Sequence, residues 1–293
     1  MADPELRQRA IALYDRFTHE THDRRVFMRE LTLLAGSTAA ANALLAGIGA
    51  NPAAAALTSP SDKRLRLQEV EWPAANGRKL RGYSARPAGP VVKRSAVLVI
   101  HENRGLNDHI RDVTRRVALA GFVAVAPDLL TSAGGTPPDE DKAREMIVKL
   151  DLAATVADAV VTVNWLKRIQ QSTGKVGAVG FCWGGAMVNQ LAIGTGPALS
   201  AGVAYYGPTP DPARAVRVKA AMLLHYAGLD TRVDAGAPGW VAALKAAHVA
   251  VTEFTYPGVN HAFNNDTAKD RYDKTAADLA WSRTIAFLKE HLA

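Results

Sequence analysis

The chain has 293 residues, 35 Lys and Arg against 28 Asp and Glu for a formal charge of +7, 48% hydrophobic residues and one cysteine. This composition excludes a disordered chain and a disulfide-stapled one, because a single thiol has no internal partner. The basic residues are scattered apart from short clusters such as Lys63-Arg64-Leu65-Arg66, and no nucleic-acid motif accompanies them; the excess charge points to acidic substrates or surroundings, not to nucleic acid.

Residues 4 to 21 are charged and helix-prone. Asp23-Arg24-Arg25-Val26-Phe27-Met28-Arg29 then introduces a weakly apolar run from Leu31 to Ala50 and the tail Pro52-Ala53-Ala54-Ala55-Ala56. Two adjacent arginines, an Ala- and Gly-rich apolar stretch and a small-residue tail have the form of a twin-arginine export signal, too weakly apolar for a stable membrane span, and imply a periplasmic enzyme. The competing reading is a helical hairpin that packs on the rest of the chain or on a second subunit of a homodimer; without export the protein is cytoplasmic. Residues 1–57 hold six arginines and six acidic residues, so the net charge belongs to residues 58–293.

From residue 58 onward strands and helices alternate. Runs at residues 66 to 72 and 79 to 85 have no helix between them and predict an antiparallel edge. The strand Ala96 to Ile100 leads to a helix over residues 108 to 120 and a strand over 122 to 126. Further helices are predicted at 139–149, 152–170, 185–193, 234–247 and 270–291, each interleaved with a short apolar strand. Strand, helix, strand in repetition means an α/β fold with a mostly parallel sheet covered on both faces.

The most informative stretch is Gly180-Phe181-Cys182-Trp183-Gly184-Gly185, between the short apolar strand Lys175–Val179 and a helical segment. This is the pattern of a nucleophile elbow with sulfur in place of oxygen: a sharp turn strains its central residue, and side chains two positions away would collide with neighbouring backbone. The helix N-terminus beneath the thiol favours a thiolate. The bland alternative is a small buried thiol in a glycine-containing turn. Two later strand ends favour the first reading. The strand Lys219–Tyr226 runs into Gly228-Leu229-Asp230, and Val251–Tyr256 into Asn260-His261-Ala262-Phe263. Nucleophile, acid and histidine therefore follow in triad order at the carboxyl edge of a parallel sheet, where ligands bind. Taken singly, Asp230 reads as a helix N-cap and His261 as a turn residue.

These motifs resemble the dienelactone hydrolase family, the cysteine branch of the α/β-hydrolases, over roughly residues 65 to 293. The resemblance implies ester or lactone hydrolysis by a Cys182-Asp230-His261 triad. It also matches Glu102, in His101-Glu102-Asn103-Arg104-Gly105, to a glutamate that holds the resting cysteine protonated, and it assigns an oxyanion hole to the backbone N–H groups of Trp183 and Asn103. Members of the family clamp a substrate carboxylate with two arginines. This chain has none in either matching window, Pro127-Asp128-Leu129-Leu130-Thr131-Ser132 or His261-Ala262-Phe263-Asn264-Asn265. Arg104 is an alternative anion contact, or else a loop arginine paired with Glu102 or Asp108. Tyr205, Tyr206 and Asn265 are further candidates to line the substrate pocket.

No cofactor is expected: Gly134-Gly135 and Gly194-Thr195-Gly196 lack a phosphate-loop lysine. No metal is expected either, because His101, His109, His225, His248 and His261 show no ligand spacing and a second cysteine is absent. The function expected is small-molecule ester or lactone hydrolysis through a Cys182 thioester. The runner-up is a broad small-ester carboxylesterase, and the rival from another class is a non-catalytic redox-sensing thiol protein on the same fold.

Overall fold

The computed structural model describes residues 3–19, 23–49 and 57–293; the predicted tail Pro52–Ala56 lies outside them. The N-terminal segment forms three helices, α1 (Pro4–His19), α2 (Arg24–Ala35) and α3 (Thr38–Ile48). The apolar run breaks at Gly36, which ends α2 in the left-handed region at φ 79°, and at Ser37, whose side chain caps α3. The two helices around that break differ in direction by 109°, and no single helix among the described residues is long and apolar enough to cross a membrane. Ile11, Phe17, Phe27, Leu31 and Ile48 meet in a core of their own, with Phe17 and Phe27 stacked at 4.5 Å.

The remaining residues build one eight-stranded sheet. In chain order its elements are β1 (Leu65–Pro73), β2 (Lys79–Pro87), β3 (Arg94–Ile100), α4 (Asp108–Leu119), β4 (Val123–Pro127), α5 (Glu140–Val148), α6 (Leu152–Arg168), β5 (Ser172–Phe181) and α7 (Trp183–Thr195). They continue with β6 (Ala201–Tyr205), β7 (Ala221–Ala227), the short α8 (Thr231–Asp234), α9 (Ala237–Ala246), β8 (Val251–Tyr256) and α10 (Lys274–His291). Strand order is β1-β2-β4-β3-β5-β6-β7-β8. The first two strands run antiparallel to their neighbours and the others parallel, as the two leading strand runs predict.

Helix placement departs from expectation at three points. Helices α5 and α6 follow each other with no strand between them, because Lys149–Asp151 is only a short link and Asp151 immediately caps α6. The helix expected at 234–247 divides into α8 and α9 around Gly236, with a proline in the first turn of α9. The last helix starts at Lys274, capped by Asp273, which leaves residues 262–272 as an irregular loop over the sheet edge.

Central strands are buried on both faces: Ala96 to Ile100 are solvent-inaccessible, as are Val176, Ala178, Val179 and Phe181. The apolar layers on either side come from α4 and α10 against one face and from α6, α7 and α9 against the other. Parallel register aligns Ile100 with Gly180, Phe181 with Tyr205 and Ala227 with Tyr256. The loops after β3, β5, β6, β7 and β8 therefore open at one edge.

Candidate active site

Cys182 occupies the turn between β5 and α7 at φ 56° and ψ −118°, a conformation that costs a non-glycine residue on the order of 1–3 kcal/mol. The glycines around it are needed for close approach. A Cβ on Gly180 would lie 2.1 Å from the Gly184 carbonyl oxygen, and one on Gly184 would lie 2.4 Å from that of Ile100. The turn is anchored by the Cys182 N–H, which donates to the Tyr205 carbonyl at 3.0 Å. Two more residues with left-handed backbone, Tyr206 at φ 37° and Ala262 at φ 65°, flank the same site.

The loops after β7 and β8 are joined by backbone hydrogen bonds from Gly228 to Tyr256 and from Leu229 to Val259. That junction brings Asp230 to His261, with Nδ1 of the imidazole donating to Oδ2 at 2.5 Å. The other carboxylate oxygen accepts from the Val233 N–H at 3.2 Å, so Asp230 also caps α8. Its two oxygens thus serve different partners, the imidazole and the helix end. His261 Nε2 is buried with no hydrogen-bond partner among the described residues, and a ring nitrogen of His261 lies within 4.8 Å of Cys182 Sγ. Burial opposes the charge on His261, but the negative charge of an ionised Cys182 and the bond to Asp230 outweigh it and raise its pKa to about 10. Burial also disfavours ionised Asp230, yet the hydrogen bond and charge of His261 hold it below the usual carboxylate value.

Glu102 reaches the same small cavity. Its Oε2 accepts from Asn265 Nδ2 at 2.7 Å, while Oε1 is buried and unpartnered. Neither the Trp183 nor the Asn103 backbone N–H has an acceptor among the described residues. The Trp183 ring stacks on His101 at 5.3 Å. That imidazole is held by the Glu102 carbonyl and the Leu129 N–H, and burial lowers its pKa.

The other candidates fall elsewhere. Arg104 pairs with neither Glu102 nor Asp108; it donates to Asp141 at 2.8 Å and to the Tyr14 hydroxyl at 2.9 Å. Tyr205 does not line the cavity, because its hydroxyl turns under the sheet to Thr284 at 2.6 Å. Tyr206 packs its ring against His261 at 4.9 Å and serves as a buried wall behind the imidazole.

The competing sequence reading has the N-terminal helices pack on the rest of the chain, but it does not foresee that one of them reaches the nucleophile. The last turn of α1 lies on the thiol: the two ring nitrogens of His19 are 3.8 and 4.0 Å from Cys182 Sγ, and its ring meets that of His261 edge-on at 4.6 Å. Burial, followed by the charge of His261, pushes the His19 pKa well below the ordinary imidazole value. The carbonyls that a helix end leaves unpaired are taken up by the sheet domain. Asn103 Nδ2 donates to Thr18 O at 3.0 Å, Arg144 donates to Phe17 O at 3.1 Å, and Arg271 Nε donates to Ile48 O, at the end of α3, at 2.9 Å. Arg271, in the irregular loop after His261, also faces Asp15 at 3.6 Å. The signal that could have marked this docking is the run of polar and aromatic residues Tyr14-Asp15-Arg16-Phe17-Thr18-His19, which an export leader does not require.

With α1 seated, the cavity at the thiol measures about 20 Å³, and its lining includes Tyr14, His19, Glu102, Cys182, His261 and Arg271. An apolar cavity of about 270 Å³ lies on the other side of His19, walled by Ile147, Leu150, Leu152 and Trp183. A further cavity, about 320 Å³, shares Arg104 with the thiol cavity but does not reach the thiol.

A mixed eight-stranded sheet with a strained thiol on the strand-to-helix turn and an Asp-His pair on the next loops defines an α/β-hydrolase. Comparison with known proteins narrows the class. The dienelactone hydrolase family profile matches residues 80–292, and the chain belongs to that family. A Saccharolobus solfataricus protein named "Putative carboxymethylenebutenolidase" is 32% identical over 251 residues, covering 73% of this chain and 95% of its own. Protein usf of Aquifex pyrophilus is 34% identical over 240 residues, covering 77% and 99%. Among solved structures, one titled "Putative Dienelactone Hydrolase" from Klebsiella pneumoniae aligns with a TM-score of 0.70 at 28% identity, covering 77% of this chain and 99% of that one.

Proposed function

We propose that this hydrolase cleaves a carboxylic ester or lactone by acyl transfer to Cys182. The observation that carries the reading is the Asp230-fixed imidazole whose free Nε2 faces a thiol on a strained elbow. In the first half-reaction His261 Nε2 takes the thiol proton as sulfur attacks the acyl carbon. The ester C–O bond breaks, and the proton passes to the departing alkoxide, leaving a thioester. In the second, His261 removes a proton from water, the hydroxide attacks the thioester, the C–S bond breaks, and the thiolate regains its proton. The Trp183 and Asn103 N–H groups bind the oxyanion, each contributing roughly 3–4 kcal/mol in comparable sites. Glu102, anchored through Asn265, gates the thiol by its charge and takes no part in proton transfer.

A cavity of about 20 Å³ holds about one water molecule, so turnover requires α1 to withdraw from the thiol. Withdrawal joins the thiol to the apolar cavity beyond His19, and it frees Arg271 from Asp15 and Ile48, while Arg104 loses Tyr14 and keeps Asp141. An arginine released beside the nucleophile favours an anionic lactone of dienelactone type. The apolar cavity favours the second reading, a broad small-ester carboxylesterase. Assays on a short p-nitrophenyl ester and on a dienelactone separate them: turnover of both supports the lactone reading, and turnover of the ester alone the second. Activity that survives in Cys182→Ala or His261→Ala would sink the acyl-transfer mechanism.

We further propose that Arg24-Arg25 and the following apolar run direct export by the twin-arginine route, so that the helical cap leaves with the signal. Periplasmic protein beginning near Leu57 in its natural cell is the expected result; a full-length chain there would count against it.

A further inference from the structure

We propose that His19, Cys182 and His261 form a binding site for a zinc-class divalent cation, and that the bound ion ties α1 to the thiol. One nitrogen from each imidazole and the Cys182 sulfur lie within 4.8 Å of one another. A tetrahedral zinc site, with bonds of about 2.3 Å to sulfur and 2.0–2.1 Å to nitrogen, needs about 3.4–3.6 Å between these ligand atoms. His19 already stands 3.8 Å from the sulfur, so side-chain rotations on the order of 1 Å close the set.

The surroundings favour an ion. His261 donates through Nδ1 to Asp230, which aims the Nε2 lone pair into the cavity, where that nitrogen has no partner among the described residues. A carboxylate behind a histidine is the arrangement that orients metal-binding imidazoles. Glu102 Oε1, buried and likewise unpartnered, adds negative charge to the same wall. The two arginines that line the cavity are turned onto carboxylates of their own, Arg104 onto Asp141 and Arg271 onto Asp15. Two imidazoles and a thiolate suit a borderline-soft ion such as Zn²⁺, not Mg²⁺ or Ca²⁺. On binding, Cys182 releases its proton to solvent, and the sulfur and Nε2 lone pairs both go to the ion. No free nucleophile or base then remains, and α1 cannot leave. The site exists only while α1 is seated, since one of its three ligands belongs to that helix.

The test uses the full-length protein with Zn²⁺ competed by a chromophoric chelator and Co²⁺ as spectroscopic probe. Expected are one Zn²⁺ per chain, a thiolate-to-cobalt charge-transfer band with tetrahedral d–d bands, and reversal of Zn²⁺ inhibition of ester turnover by chelator. His19→Gln should raise the Zn²⁺ dissociation constant by about tenfold or more while its ester turnover in chelator persists. Cys182→Ala should lose the charge-transfer band. Absence of Zn²⁺ binding at micromolar concentration would overturn the proposal, and so would equal affinity in His19→Gln, which would reduce the site to the Cys-His pair alone. The cobalt band does not depend on turnover, so an inactive enzyme that still shows it would reject the hydrolytic mechanism and keep the metal site.

Discussion

The three N-terminal helices and the sheet domain hold themselves together by different means. The sheet domain is built on strands buried on both faces between helical layers, and its core is almost entirely apolar. The helical cap has a small core centred on Phe17, Phe27 and Leu31, and it is fixed to the domain by polar contacts, helix-end carbonyls received by Asn103, Arg144 and Arg271. Each such hydrogen bond contributes on the order of 1 kcal/mol net, because water competes for the same groups. A contact of this kind positions a helix accurately and can still be undone, whereas the sheet cannot open without losing its core. The molecule therefore sets its thiol in an apolar framework and covers it with helices held by polar contacts.

The sharpest way to break this comparison is at the sheet domain. Asp230→Asn should lower ester turnover by up to about 10⁴-fold, since the wrong histidine tautomer then faces the thiol, with little change in the thermal midpoint. A variant near wild-type rate would mean that the pair in contact is structural only. Removing the cover should act in the opposite direction. Deleting residues 1–57 is expected to speed alkylation of Cys182 by iodoacetamide about tenfold or more, and an unchanged rate would show that α1 does not control access. Phe27→Ala, which removes a ring from the cap core at a cost of about 3–5 kcal/mol in comparable sites, should shift alkylation the same way by less and leave the sheet domain's unfolding transition in place.

The smallest expected effect is one of pH. The raised His261 pKa of about 10, against the ordinary 6.5, belongs to an imidazole paired with an ionised Cys182. With the thiol held protonated by Glu102 the resting imidazole is neutral, so the thermal midpoints of the wild type and His261→Gln should run parallel between those limits. A difference that changes with pH across that range would show that the imidazole is charged at rest.

What the sequence made legible was local. The elbow, the antiparallel edge and the Asp and His loops each announce themselves in a few adjacent residues, because turn sterics and strand periodicity act over that range. What escaped it was long-range. His19 and Cys182 are separated by 163 positions, and nothing near either residue specifies that the last turn of a helix will fall on a sheet edge. Arg104 reads in the sequence as a substrate-anion contact or as a partner of its neighbours Glu102 or Asp108, and it pairs instead with Asp141 and Tyr14, since burial chooses partners by fold and not by proximity along the chain. Tyr205 is the last residue of β6 and turns its hydroxyl to Thr284, whereas Tyr206 lies just past the strand with a left-handed backbone and packs its ring on the imidazole.

The Tyr14–His19 turn of α1 is a tethered competitor. It shares a chain with the site it fills, so dilution does not remove it, and substrate must wait for the open fraction of molecules. Apparent affinity falls in proportion to that fraction: a cover open about 1% of the time weakens apparent substrate binding about a hundredfold while leaving the rate at saturation unchanged. Two molecules of this protein that differ only in how firmly α1 is held would thus share a maximal rate and differ in the concentration of substrate at which they respond.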